Sequence, residues 1–141
     1  MAGFGSMTFK RRRKCRGLEP DECYWIQSVP AVRGKQTIDL KIDPPPDLVV
    51  EIEWTRSALD RLSIYAAMGV PEVWQYDGQQ LRVKLLGQDG KYVPASAGRT
   101  FPFLPLVALE EALNKRTSLG EIELVREFRA WVRGRIAANW Q

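Results

Sequence analysis

Apolar and polar positions change their period several times along the chain, and each change marks an element. Three consecutive prolines, Pro44–Pro46, halt whatever precedes them, and a run rich in β-branched residues follows. Period-two alternation predicts a strand over 47–54. Leu48, Val50 and Ile52 take one face, and Asp47, Glu51 and Glu53 take the other. From Ser57 the period becomes helical. Ser57 with Asp60 three residues on forms a capping-box pattern, and Leu59, Leu62 and Ala66, flanked by Tyr65, make one apolar stripe. Gly69 and Pro71 end that helix. Residues 72–76 read as a strand, Asp77-Gly78 as a hairpin turn, and 81–86 as the returning strand. A second turn at 88–90 leads to a strand over 91–93. Strand, helix and strand in succession predict that 47–54 and 72–76 lie side by side and parallel, through a right-handed crossover.

The flanking regions are patterned more weakly. Residues 7–9 read as a frayed start or an edge strand. Tyr24, Trp25 and Ile26 give 22–28 strand character, with Asp21 at its entrance. A loop follows, punctuated by Pro30 and Gly34, and 36–43 reads as a short polar strand or extended segment. Downstream, 95–105 is a loop. A short helix over 104–114 turns Leu106, Leu109 and Leu113 inward. The last helix spans 118–138. Its buried stripe is Ile122, Val125, Phe128, Val132 and Ile136, with Trp131 and Trp140 flanking and Arg126, Arg129, Arg133 and Arg135 outward. The expected fold is α/β: a mixed β-sheet flanked by helices, with a β-meander and C-terminal helices. No repeat, low-complexity tract or linker interrupts it. Residues 17–141 therefore read as a single domain, preceded by a basic arm or edge over 1–16.

Composition narrows the chemistry. The chain has 141 residues, enough for one domain with a core, and contains no histidine. That excludes Cys/His zinc sites and histidine-based acid/base or nucleophilic catalysis. Cys15 and Cys23 give no support for a disulfide. No apolar run approaches the roughly 20 residues needed to cross a bilayer, and the N-terminus lacks the order of a signal peptide. A cytoplasmic protein is expected. Six of the 21 Lys and Arg residues fall within 10–16; the remaining 15 face 17 Asp and Glu, a balance of −2. The net charge of +4 thus belongs to one run. Its Arg11, Arg12, Arg13 and Lys14 are either a solvated arm or a phosphate-contacting one.

Acidic side chains on a core-like strand are costly unless solvated, paired or bound to a cation. Asp47 and Glu51 are about 13 Å apart on an extended strand, and Glu51 and Glu53 about 6.6 Å. Asp21, opening the neighbouring strand, can approach Glu51 across the sheet. The candidate metal site is therefore Asp21, Glu51 and Glu53 around Mg²⁺ or Mn²⁺, with Asp47 either a second ligand or the cap of its strand. The alternative is an acidic solvent face. A metal so held would activate water and steady a phosphoryl transition state.

The runs EPDECYWI, DPPPDLVVEI and RSALDRLSIYAAMGVPEVWQYDG resemble the Uma-two family of restriction endonucleases, a branch of the PD-(D/E)XK nuclease superfamily. The resemblance covers roughly residues 16–135. It implies a restriction-endonuclease-like sheet flanked by helices and Mg²⁺-dependent hydrolysis of DNA, in a prokaryotic setting. The superfamily's Pro-Asp falls on Pro20-Asp21 or Pro46-Asp47, and its following acid on Glu51. The lysine expected two residues later is Glu53 here. Relatives resembling this chain carry a lysine in the next helix, four residues before the tyrosine. That position is Arg61, before Tyr65. Arginine keeps the charge but cannot surrender a proton, so it can clamp phosphate and not act as a base. Relatives also have a helix, strands and one more acidic residue ahead of EPDECYWI, so a shortened N-terminal part is expected. The implied catalytic set is Asp47, Glu51 and Arg61, the metal set Asp21, Asp47, Glu51 and Glu53, and the partner DNA. The alternatives are a catalytically degenerate nuclease-like domain that binds DNA or protein, and a domain that dimerises through its Trp-rich C-terminal helix.

Overall fold

The computed structural model describes residues 20–36, 38–39, 41–52 and 56–139; of 56–60 and 139 only the backbone is described. The expected edge strand at 7–9, the basic run 10–16, Glu53 and Trp140 lie outside these residues, as do the side chains of the Ser57–Asp60 capping box.

Five strands form one sheet in the order β1 (Glu22–Tyr24), β2 (Leu48–Ile52), β3 (Glu72–Tyr76), β4 (Leu81–Leu86) and β5 (Tyr92–Ala95). β1 runs antiparallel to β2, β2 parallel to β3, and β3, β4 and β5 form the antiparallel meander. The single parallel pair is the one the strand–helix–strand pattern predicts. Its crossover carries helix α2 (Arg56–Met68), after a four-residue helix α1 (Val29–Val32) between β1 and β2. Two helices complete the chain: α3 (Leu106–Asn114), followed by a 3-10 turn at Lys115–Thr117, and α4 (Glu121–Asn139). This mixed sheet flanked by helices is restriction-endonuclease-like. No helix among the described residues is long and apolar enough to cross a membrane.

Alternation along β2 and β3 divides the core between the two faces of the sheet. Leu48, Trp74 and Val83 pack with Leu104 on one face, backed by Phe101, Phe103, Leu109, Phe128 and Val132. Val49 and Val73 pack with Tyr65 and Val70 on the other, backed by Leu62 and Met68 of α2. Every residue of β3 is buried, as a strand covered on both faces requires. α2 stops where expected. Gly69 adopts φ +78°, its N–H reaches the Ala66 carbonyl, and Val70 N–H reaches the Tyr65 carbonyl. This is a Schellman closure, which a residue with a Cβ would strain.

Four expectations need correction. The strand expected over 22–28 ends at Tyr24. The Asp47 carboxylate takes the N–H of Ile26 at 2.7 Å and of Ser28 at 3.0 Å, which bends the chain. The loop expected next begins with α1, which has a proline in its first turn. Residues 36–43 contribute no strand among those described. Instead Asp39 O accepts from the N–H groups of Ile42 and Asp43, and the Asp43 carboxylate returns to Asp39 N–H and pairs with Lys35. Finally, only the middle of α4 covers the core. Phe128, Trp131 and Val132 pack there, whereas Ile122 is 75% exposed and Val125 49%.

Candidate metal-ion and phosphate site

The antiparallel register of β1 and β2 places Glu22 opposite Val50 and Tyr24 opposite Leu48, so the two acidic residues of the ribbon's far end arrive together. Asp21, just before β1, accepts the N–H of Ile52 on Oδ2 at 2.7 Å, which ties it to the end of β2. Its carboxyl lies close enough to that of Glu51 to make the latter harder to ionise. Glu51 points to the α2 face, because its neighbours Val50 and Leu48 turn the other way. It is 3% exposed.

Helix α2 supplies the partners. Arg61 and Tyr65 are one turn apart and share a helix face. The Arg61 guanidinium donates to Glu51 Oε2 at 3.1 Å, and the Tyr65 hydroxyl donates to Oε1. Tyr65 is fully buried in the Val49–Val73 cluster, so its ring is held by packing and its hydroxyl is aimed. The Arg61 side chain is 38% exposed, so it spans from the buried carboxylate to the surface.

Burial pushes the Glu51 carboxyl above its ordinary range. The Tyr65 hydrogen bond and the Arg61 charge oppose that rise, and the adjacent Asp21 carboxyl adds to it. The second carboxyl beside it makes Glu51 harder to ionise, which a cation between the two would offset. The pair offers hard oxygens of the kind Mg²⁺ and Mn²⁺ take, and Mg²⁺ needs only one or two carboxylates because it keeps much of its water. In this respect the donor set fits. Among the described residues no group of three or more acidic, His or Cys side chains is placed to hold an ion.

Asp47 stands elsewhere. Its N–H bonds Tyr24 O, at the end of the ribbon away from Asp21. Both of its oxygens are used: Oδ2 by the N–H groups of Ile26 and Ser28, and Oδ1 by the Ser28 hydroxyl at 2.8 Å. Of the two roles its position in the sequence left open, these contacts describe the cap. They set Asp47 at the end of the ribbon away from Asp21, apart from Glu51. Of the two Pro-Asp pairs, Pro20-Asp21 is the one that meets Glu51. Glu53 and the arm residues Arg11, Arg12, Arg13 and Lys14 lie outside the described residues.

Two buried polar side chains escaped sequence reasoning. Glu72, at the start of β3, is 1% exposed. It accepts from Trp74 Nε1 at 2.6 Å, from the Thr100 N–H and hydroxyl at 2.8 and 2.7 Å, and from Arg99 N–H at 3.1 Å. It is a staple for the loop before α3. A Cβ on Gly98 would come within 2.5 Å of its Oε1, which explains the glycine there. Gln75, the β3 partner of Glu51, is also 1% exposed. Only a glutamine inside a strand of otherwise core-like residues hinted at it.

A mixed sheet flanked by helices, with an acid pair at the end of the parallel strand and a basic residue on the crossover helix, defines a restriction-endonuclease-like protein. The chain belongs to the Uma2 family, whose model, described as "Putative restriction endonuclease", matches residues 1–125. No curated protein and no solved structure matches it.

Proposed function

We propose that the chain is a divalent-cation-dependent nuclease that cleaves phosphodiester bonds in DNA, acting in the cytoplasm. The observation that carries this reading is the meeting of Asp21 with Glu51 under Arg61 and Tyr65. Asp21 and Glu51 would hold Mg²⁺ or Mn²⁺, which when bound supplies charge for the phosphoryl oxygens and acidifies a water. Tyr65 fixes one Glu51 oxygen and so orients the carboxylate. Arg61 is permanently charged and partly exposed, and its planar fork suits phosphate oxygens. It steadies charge and takes no proton. Burial raises the proton affinity of Glu51, so a proton and a cation compete for its carboxyl.

One observation favours a second reading. Arg61 is already paired to Glu51, and the position two residues beyond Glu51 is Glu53 rather than a lysine. A domain that retains DNA without cutting it would tolerate both. Plasmid nicking separates the readings. The nuclease requires nicking that depends on Mg²⁺ or Mn²⁺ and disappears in Glu51→Gln. Salt-sensitive DNA retention with no nicking in either cation supports the binding domain, and nicking that survives Glu51→Gln rules out this site.

A further inference from the structure

Gln75 occupies the middle of the sheet. Neither its amide oxygen nor its amide nitrogen has a hydrogen-bond partner among the described residues. A buried amide with no partner costs stability, and native proteins rarely keep one without a use for it. Its position says what it faces. β2 and β3 are parallel, with Glu51 opposite Gln75 and Val49 opposite Val73. Val49 and Val73 pack together against Tyr65, so this register turns paired side chains to the same face. Two residues further along, the same rule sets Gln75 beside Glu51, under the helix that supplies Arg61 and Tyr65. Arg61 and Tyr65 bond Glu51. Arg82, the β4 partner of Gln75, bonds Asp77 and Gln80.

We propose that Gln75 is a third ligand of the Asp21–Glu51 cation site, giving its amide oxygen as a neutral donor. This rests on the reading of that acid pair as a cation site. A divalent ion is neutralised by two carboxylates. With the Arg61 guanidinium also on Glu51 the site needs no further negative charge, and an amide carbonyl is a hard oxygen that brings no extra charge to desolvate in the sheet interior. The same amide would give the two described acids a third protein ligand.

The test is calorimetric titration of Mn²⁺ into the full chain and its Glu51→Gln, Gln75→Leu and Gln75→Glu variants, with melting temperatures taken in a chelator. Wild type binds one Mn²⁺ and Glu51→Gln abolishes binding. Gln75→Leu weakens binding about tenfold to a hundredfold, while its cation-free melting temperature does not fall. Gln75→Glu restores or tightens binding and lowers the cation-free melting temperature, since it adds a third buried acid. Wild-type affinity in Gln75→Leu, with binding lost in Glu51→Gln, overturns the role of Gln75 and leaves the acid pair standing; a buried water would then satisfy the amide. Equal losses in Gln75→Leu and Gln75→Glu mark a packing defect and also overturn it. No Mn²⁺ binding by wild type overturns both the ligand and the site.

Discussion

The two ends of the β1–β2 ribbon carry acidic residues with opposite fates. At one end Asp47 spends both oxygens on the backbone and hydroxyl groups of the bend at 26–28. At the other, Asp21 and Glu51 lie against each other, one bonded to a strand N–H and the other to a guanidinium and a phenol. Asp47 meets neutral donors within the bend. The Asp21–Glu51 end brings two like charges together, and burial works against Glu51 ionising. The contrast teaches that an acidic residue in a strand-like run is not a site by itself. Donors reach both oxygens at each end; what distinguishes Glu51 is a second carboxyl beside it, a charged donor and burial that works against its ionising. Glu72 belongs with Asp47, since its four protein donors are all neutral.

The comparison can be broken at either end. The largest effect falls on Asp47→Ala. It strips three hydrogen bonds from the bend and leaves the N–H groups of Ile26 and Ser28 without a partner, at a cost of about 2–3 kcal/mol. Urea unfolding measures this, and a loss below about 0.5 kcal/mol would show that the bend does not depend on its carboxylate. A smaller and more specific effect comes from Glu51. Its carboxyl is raised above the ordinary value of 4.5, so the native state holds a proton that the unfolded chain has already released. Cation-free stability therefore falls as pH climbs from near 4.5 through the raised value. Glu51→Gln removes that decline, which parallel unfolding curves across the window would reveal. A decline of equal slope in the variant would place the responsible group elsewhere.

Much of the scaffold was legible in the chain. The β2–α2–β3 unit, the stop at Gly69, the Asp77-Gly78 turn and the meander follow from local period and turn chemistry, and the structure carries them at nearly the expected positions. The misses share one physical cause, contact over long sequence separation. The bend that ends β1 is imposed by Asp47, 19 and 21 residues away from its two N–H partners. The apolar stripe of α4 shows which face of the helix is greasy. It carries no information on how far the core extends beneath it, and Ile122 and Val125 lie beyond that reach.

The site divides the same way. Asp21 and Glu51 were reachable from strand order and alternation, and Arg61 only through the family resemblance, with Tyr65 one helical turn on. The separation of Asp47 needed the bend. Gln75 needed the β2–β3 register, because a lone glutamine in a strand ordinarily reads as solvent-facing.

The most direct measurement of the central claim is Mn²⁺ affinity in Asp21→Asn against Asp47→Asn. If the acid pair is the cation site, Asp21→Asn loses at least about tenfold in affinity, and Asp47→Asn keeps the wild-type value despite a lower stability. Equal affinity in Asp21→Asn and wild type, or a loss confined to Asp47→Asn, would contradict it.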